Sequence, residues 1–327
     1  MRLATRGSPL ALRQAALVAE LLAHARPGTT TETVVVHTEG DRRSAASLDQ
    51  IGGQGVFTKE VQAAVLDGRA DVAVHSAKDL PPVTPDGLVL AAVPRRADPR
   101  DVLVGRALAD LPAGAVVATG SARRRSQLAN LRPDLTFVDL RGNMARRLAK
   151  ADDGAVHAVV VAAAALERLD LKPAVTDYLS PTVLLPQVGQ GALALECRAD
   201  DQETADLLAA VDVAPAHRTL VAERAFLAGI GGSCAVPVAG WAELPDGDLR
   251  LPDLRLPDLR LPDLRLPELR LPDLRLPDLR LHGLLASGDG RVVVRAHRTG
   301  DDPEALGRAL ARQVLEECGG SGIEGWR

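Results

Sequence analysis

The sequence predicts an α/β protein: mainly parallel sheets with helices on both faces, then a smaller α+β domain carrying a repeat insertion. Three observations carry this expectation. Up to about Asp200, short apolar runs alternate with amphipathic segments, the pattern of strand–helix alternation. Beyond Asp200 the order changes to two helical segments, a group of strands and a closing helix over about 303–318. Within that last part, residues 251–280 repeat a five-residue unit, LPDLR, six times, once as LPELR.

In chain order, strands are predicted at 2–5, 33–38, 71–75, 88–93, 102–104, 115–119, 136–140, 156–161 and 192–196. Helical patterns lie between many of them, as at 9–22, 59–66 and 123–131. Ser8 is a suitable N-cap and Pro9 a suitable first helical residue for the earliest. In the repeat, a proline every five residues removes a backbone donor and forbids continuous helix or central strand, so an extended, polyproline-like excursion is expected. A pentapeptide β-helix is the rival reading, but six copies make barely more than one coil. The flanks, WAELPDGDLRL and LHGLLASGDGRVVVRAHR, read as neighbouring strands of one sheet. Near-identical copies point to expansion of a short coding repeat. Each copy holds one acid and one arginine, so the block leaves the net charge of −4 unchanged.

The 327 residues, 46% hydrophobic and 25% charged, suffice for a sizeable core divided over two or three domains. A charge of −4, from 39 basic and 43 acidic side chains, argues against a nucleic-acid or membrane coat. Any basic site must be local. Two Trp, one Tyr and three Phe leave little for base stacking. No apolar run approaches the roughly 20 residues that span a bilayer. The opening MRLATRGSPLALRQ places arginines where a signal peptide needs its apolar centre, so a cytoplasmic protein is expected. Cys197, Cys234 and Cys318 lie far apart with no CxxC and no histidine at ligand spacing; neither a disulfide framework nor a metal site is expected.

Three strand-to-helix turns share one chemistry. They are Thr5-Arg6-Gly7-Ser8-Pro9, then Thr119-Gly120-Ser121 followed by Arg123, Arg124 and Arg125, and Arg141-Gly142-Asn143 followed by Arg146 and Arg147. Amides at a helix N-terminus, hydroxyls and forked guanidiniums together form a receptor for carboxylate or phosphate. Three such turns at strand ends, where open α/β sheets bind ligands, point to a ligand with several anionic groups. Taken singly, each arginine reads more simply as solvated surface. A buried strand at 71–75 also runs straight into Ser76, Lys78 and Asp79, and Pro81 and Pro82 fix the exit. Alone, Lys78 and Asp79 read as an exposed pair and His75 as a satisfied core histidine. In a cation-lined cleft, Asp79 stays ionised and can stabilise a developing cation. Cys234, on a glycine-rich loop, is the thiol worth testing; Cys197 and Cys318 read as inert. Residues 51–59 lack phosphate-loop spacing and a dinucleotide fingerprint, and read as a mobile loop over a cleft.

Eight segments, in this order, resemble the hydroxymethylbilane synthase (porphobilinogen deaminase) family. They are TRGSPLAL at 5–12, GGQGVFTKE at 52–60, ADVAVHSAKDLP at 70–81, DPRDVLV at 98–104, GSARRRSQL at 120–128, LRGN at 140–143, LPQVGQGALALECR at 185–198 and ERAFLAGIGGSCAVP at 223–237. The resemblance implies two domains like those of type II periplasmic binding proteins around a cleft, plus a third, cysteine-bearing domain. It places domain 1 at 1–93 and 187–208, domain 2 at 94–186, and domain 3 at 209–327 with the insertion at 251–280. It implies a monomeric transferase without metal, nucleic-acid partner or membrane, acting on porphobilinogen. Four substrate molecules are condensed head to tail, with loss of ammonia, on a dipyrromethane cofactor joined by a thioether to Cys234, and hydrolysis then frees hydroxymethylbilane.

By the same resemblance, Asp79 matches the catalytic aspartate, which stabilises the cationic pyrroles left by ammonia loss. Lys78, Ser76, Thr119, Ser121, Arg123, Arg124, Arg141 and Gln190 match cofactor-binding positions, and Arg6, Ser8 and Arg147 substrate-binding ones. Arg125 and Arg146 carry no implied role. Gln54, Gly120 and Ser233 depart from residues common in the family, and the LPDLR block is foreign to it. A noncatalytic two-lobed solute receptor is the alternative from fold alone, and needs neither Asp79 nor Cys234.

Overall fold

A computed structural model describes residues 1–38, 55, 57–152, 154–231, 237–244 and 278–323. The chain begins β1 (Arg2–Arg6), α1 (Pro9–Ala25), β2 (Glu32–Val36), α2 (Lys59–Leu66), β3 (Val72–Ser76) and β4 (Leu88–Ala92). It continues β5 (Asp101–Gly105), β6 (Val116–Ala118), α3 (Ala122–Leu131), β7 (Thr136–Val138), α4 (Met144–Asp152), β8 (Ala158–Ala162), α5 (Ala163–Arg168) and β9 (Asp177–Leu179). Then come β10 (Leu193–Arg198), α6 (Gln202–Ala209), α7 (Ala214–Ile230), β11 (Val238–Glu243), β12 (Leu279–Ala286), β13 (Val293–Gly300) and α8 (Pro303–Arg312), prolonged by a π-helical turn over Gln313–Glu317.

Three sheets result, ordered β2-β1-β3-β10-β4, β7-β6-β8-β5-β9 and β11-β12-β13. Successive strand residues face opposite sides. Thus Leu3, Val72, Val74 and Leu195 pack with Val18 and Leu22 of α1, while Ala4 and Ala73 pack with Val61, Ala64 and Val65 of α2. The second sheet repeats the scheme, with Leu103, Val117 and Val160 against Leu128 of α3, and Val102, Val159 and Val161 on the face that holds Leu166 of α5.

The expectation of mainly parallel sheets is corrected. In each five-stranded sheet two ladders are parallel and two antiparallel: β10 opposes β3 and β4, and β5 opposes β8 and β9. The crossings are the reason. β5 and β10 are the first strands after the chain passes from one sheet to the other, so each starts beside the end of a parallel strand, Asp101 against Ala162 and Leu193 against Ser76. Both therefore run away from the edge where their neighbours finish. The two five-stranded sheets thus share one strand order, with the crossing strand in the fourth place of each.

The third sheet packs on α7 and α8 around Phe226, which is fully buried. Two glycines make room for that ring: a Cβ at Gly283 would lie 2.7 Å from it and one at Gly240 3.1 Å. The flanks of the repeat pair as expected, β11 with β12, with Glu243 opposite Arg280. The boundary of the 251–280 insertion is corrected, however, because Leu279 and Arg280 are the first residues of β12 and Leu279 is fully buried. Apolar–polar alternation runs unbroken from Leu279 into Leu281 once the last proline is passed. Residues 251–277 lie outside the described residues.

Two segments, near 94–100 and 186–192, join the five-stranded sheets. They bond to each other: Ala97 N donates to Gly191 O at 3.1 Å and Arg96 Nε to Gln190 O at 2.9 Å. Gly191 has φ +86°, and a Cβ there would sit 2.5 Å from Ala97 O, so a side chain is excluded twice over. Glu223 of α7, fully buried, accepts from Arg96 Nη1 (2.6 Å) and Nη2 (3.1 Å), Gly189 N (2.7 Å) and Ala242 N (2.8 Å). One carboxylate thus fastens both crossings to the third sheet.

Gly283→Ala should overpack Phe226 and lower stability by about 1–3 kcal/mol in chemical denaturation. Adding Phe226→Leu should return part of the loss; a transition unmoved by Gly283→Ala contradicts this packing.

Candidate functional site

The parallel strands β1, β3 and β6, like β7, end in polar turns at one edge of the two sheets. After β1, Ser8 caps α1, its Oγ accepting from Ala11 N at 3.3 Å, with Pro9 in the first turn. Arg6 lies over the Phe57 ring at 4.1 Å. After β6, Thr119 Oγ1 accepts from Ser121 N (3.2 Å) and Ser121 Oγ from Arg124 N (3.4 Å), so both hydroxyls shape the start of α3. Gly120 is required there: a Cβ would meet Leu140 O at 2.8 Å, the next turn being that close. After β7, Asn143 Oδ1 accepts from Arg146 N (3.0 Å) and Gly142 O from Arg147 Nε (2.9 Å). Arg141 and Arg125 both reach Asp139, at 3.4 and 3.3 Å.

After β3 the chain makes a 3-10 turn over Ala77–Asp79, which leaves Lys78 and Asp79 half-buried. These two meet charges from the second sheet. Burial brings the Lys78 ammonium down to about 8; Arg124 and Arg147 push the same way, and Asp79 and Asp101 oppose them. Arg147 is likewise lowered, by burial and then Arg124, with Asp79 opposing. Cations therefore crowd one place from both lobes, around a carboxylate on a short turn.

Arg123 and Arg124 are buried, and their partners are internal. Asp101, fully buried at the start of β5, accepts from Arg123 Nη2 (2.8 Å), Arg124 Nε (3.0 Å) and Nη2 (2.7 Å), and Gln190 Nε2 (2.9 Å). Burial pushes this carboxyl up, yet the two guanidiniums and the amide overrule it and hold it at about 2. The second ends of the arginines bond Leu185 O (2.7 Å) and Val160 O (3.0 Å). Arg123 Nε and Gln190 Oε1 are buried without a hydrogen-bond partner.

Three contributors had no signal of their own in the sequence. Gln14, inside α1, has its carboxamide 2.8 and 3.1 Å from Ser76 Oγ. Arg168, at the end of α5, donates to Gly191 O at 2.7 Å, and burial lowers it to about 10. Together with Ser76, Lys78 and Gly189 they line a narrow cavity between the lobes. Asp101 is the third, within DPRDVLV, and its partners lie 22 and more residues away. His75 is buried, as a core residue would be, but not satisfied: its Nε2 lies 3.3 Å from Glu196 Oε2 without a hydrogen-bond partner, and that oxygen accepts from Gln62 Nε2 at 2.8 Å. Cys234, Gln54 and Ser233 lie outside the described residues. The helix before Cys234 ends at Gly231 in the left-handed conformation (φ +69°), and β11 starts at Val238. Among the described residues no group of His, Cys, Asp and Glu could hold a metal ion, and no helix is long and apolar enough to cross a membrane.

The Lys78 charge is present below pH 8 and lost above it, so affinity for carboxylate ligands should fall as pH rises through that value. The chain has four lysines, Lys59, Lys78, Lys150 and Lys172. In NMR of 13C-methylated protein one should titrate near 8 and vanish in Lys78→Arg; four midpoints above 10 would contradict its burial among cations.

The chain is similar in sequence to known proteins over nearly its whole length. The family description "Porphobilinogen deaminase, dipyromethane cofactor binding domain" matches residues 1–206, and "Porphobilinogen deaminase, C-terminal domain" matches 217–255. Similar curated proteins include the porphobilinogen deaminase of Roseiflexus sp. (strain RS-1), 44% identical over 319 residues and covering 96% of this chain and 95% of its own. That of Syntrophobacter fumaroxidans is 40% identical over 321 residues, covering 97% and 94%. Among solved structures, a nutrient binding protein from Burkholderia cenocepacia bound to methionine is similar with a TM-score of 0.39 and 14% identity, covering 65% of this chain and 90% of that one. With its cofactor-binding lobes matched throughout and near-full-length relatives at this identity, the chain belongs to the porphobilinogen deaminase (hydroxymethylbilane synthase) family of transferases.

Proposed function

We propose that Asp79 is the catalytic carboxylate of this chain's head-to-tail condensation of four porphobilinogen molecules, and that Cys234 carries the dipyrromethane primer by a thioether. The observation that carries this reading is the convergence of Lys78 and Asp79 from one lobe with Arg124 and Arg147 from the other. The donor set fits the primer: its acetate and propionate groups need cations, and Lys78, Arg124 and Arg141 supply them in forms suited to carboxylates. Thr119, Ser121, Ser76 and Gln190 frame the same edge, and Arg6, Ser8 and Arg147 are assigned to incoming substrate. When bound, the dipyrromethane supplies the nucleophilic pyrrole carbon.

The chain's own residues then have separable tasks. As ammonia leaves, positive charge develops on the substrate ring; Asp79, fixed on its 3-10 turn, is placed to lower the energy of that charge and accept the pyrrole N–H. Lys78 and Arg147 hold ring carboxylates. Three domains accompany the assignment: 1–93 with 187–208, 94–186, and 209–327 with Cys234 between α7 and β11. A cytoplasmic monomer acting without nucleic acid or membrane is part of the same proposal, supported by the net charge of −4.

In intact mass spectrometry the purified chain should be heavier by one dipyrromethane, and Cys234→Ser should lack that mass. Asp79→Ala should keep it and lose at least about 100-fold in turnover, the scale of a removed electrostatic stabiliser, while Asp79→Glu retains a trace. Near-normal rates in Asp79→Ala would overturn the assignment.

A further inference from the structure

We infer that Asp101 is a positioning residue that converts the state of the two crossings into the orientation of Arg124 relative to Asp79, so that the later condensations depend on it more than the first. This rests on the function proposed above.

Asp101 sits at a junction. It is the first residue of β5, directly after one crossing, and its Oδ1 receives the amide of Gln190 from the other crossing at 2.9 Å. The same Gln190 Nε2 bonds Pro99 O at 2.8 Å, tying the second crossing to the first just before Asp101. The remaining acceptor capacity of Asp101 goes to the two arginines that open α3. Their outer nitrogens are held by Leu185 O, beside the second crossing, and Val160 O in β8. Any change in the crossings therefore reaches Arg123 and Arg124 through charge-assisted bonds of 2.7–3.0 Å, with no flexible element between.

The chemistry gives such a link a use. Asp79 is built into the first lobe and Arg124 into the second, and the chain held between them lengthens by one ring at each step. A cleft of fixed width suits one length only. Rotation about the crossings changes the spacing, and Asp101 makes the arginines follow the hinge rather than trail from it. Asp101 itself faces three charge-assisted donors and one amide; the other charges acting on this group of side chains are Lys78, Asp79 and Arg147. It touches no proposed reacting atom.

Asp101→Asn preserves shape but turns one acceptor into a donor facing guanidinium donors. Asp101→Glu keeps the negative charge but lengthens the link between the arginines and Gln190 by one methylene. Each cofactor-loaded variant is given less than four equivalents of porphobilinogen, and protein-bound chains are read by intact mass. Asp101→Asn should add the first ring within threefold of the parent rate, then accumulate partly built chains, with kcat down at least tenfold and KM changed less than threefold. Asp101→Glu should show the same pattern more weakly, and decides the matter if Asp101→Asn does not fold. Equal slowing of every addition, a change in KM alone, or Asp101→Glu matching the parent overturns the inference. Failure of the parent chain to carry the cofactor mass or add any ring would overturn the proposed function instead.

Discussion

A single buried carboxylate, Glu223, joins the three sheets. It accepts from both terminal nitrogens of Arg96 in one crossing, from Gly189 N in the other, and from Ala242 N in the third sheet. A buried acid with all its lone pairs used is stable only as a set, and removing one partner of such a pair costs about 3–5 kcal/mol. The crossings consequently have one origin, and the helix leading to Cys234 shares it. Everything the site needs from the relative placement of the two lobes and the third sheet starts from this point. Arg224, the next residue, adds a tie to the first lobe, its Nη2 donating to Thr84 Oγ1 at 2.9 Å.

Around that frame the protein concentrates positive charge locally while remaining net negative overall. Buried Asp101 keeps Arg123 and Arg124 from repelling each other out of the turn, and still leaves Lys78, Arg147 and Arg124 in excess over Asp79. At an effective dielectric near 20, two charges 4 Å apart interact by about 4 kcal/mol, enough for placement rather than number to decide the site's sign. Lys78 and Arg147 are lowered first by their burial, with Arg124 adding to it in both.

Most strands and the polar turns after them were legible, because period-two apolar runs ending in Gly, Ser and Arg report both a buried strand and the exposed edge where it stops. The direction of β5 and β10 was not, since a strand's orientation depends on where the chain arrives from. β9, three residues reading DYL, carries too little pattern to find. At the site, residue types were legible but partners were not: nothing local in RRR says that two of its members turn inward onto Asp101 while Arg125 reaches an exposed Asp139. Gln14 and Arg168 sit in ordinary helical patterns, so only packing reveals them. Gly120, a departure from the family by sequence, is explained by the approach of Leu140 O.

The third sheet has one property with reach beyond catalysis. Glu243 and Arg280 face each other across the ladder, so the sheet itself brings together the ends of whatever is spliced between them. Once ends are held, each doubling of the loop adds only about 0.6 kcal/mol of closure entropy. Slippage during replication can therefore lengthen or shorten a pentad array at this seam with almost no effect on folding for selection to act on. The same tolerance makes the seam a natural graft point for a reporter peptide or affinity handle.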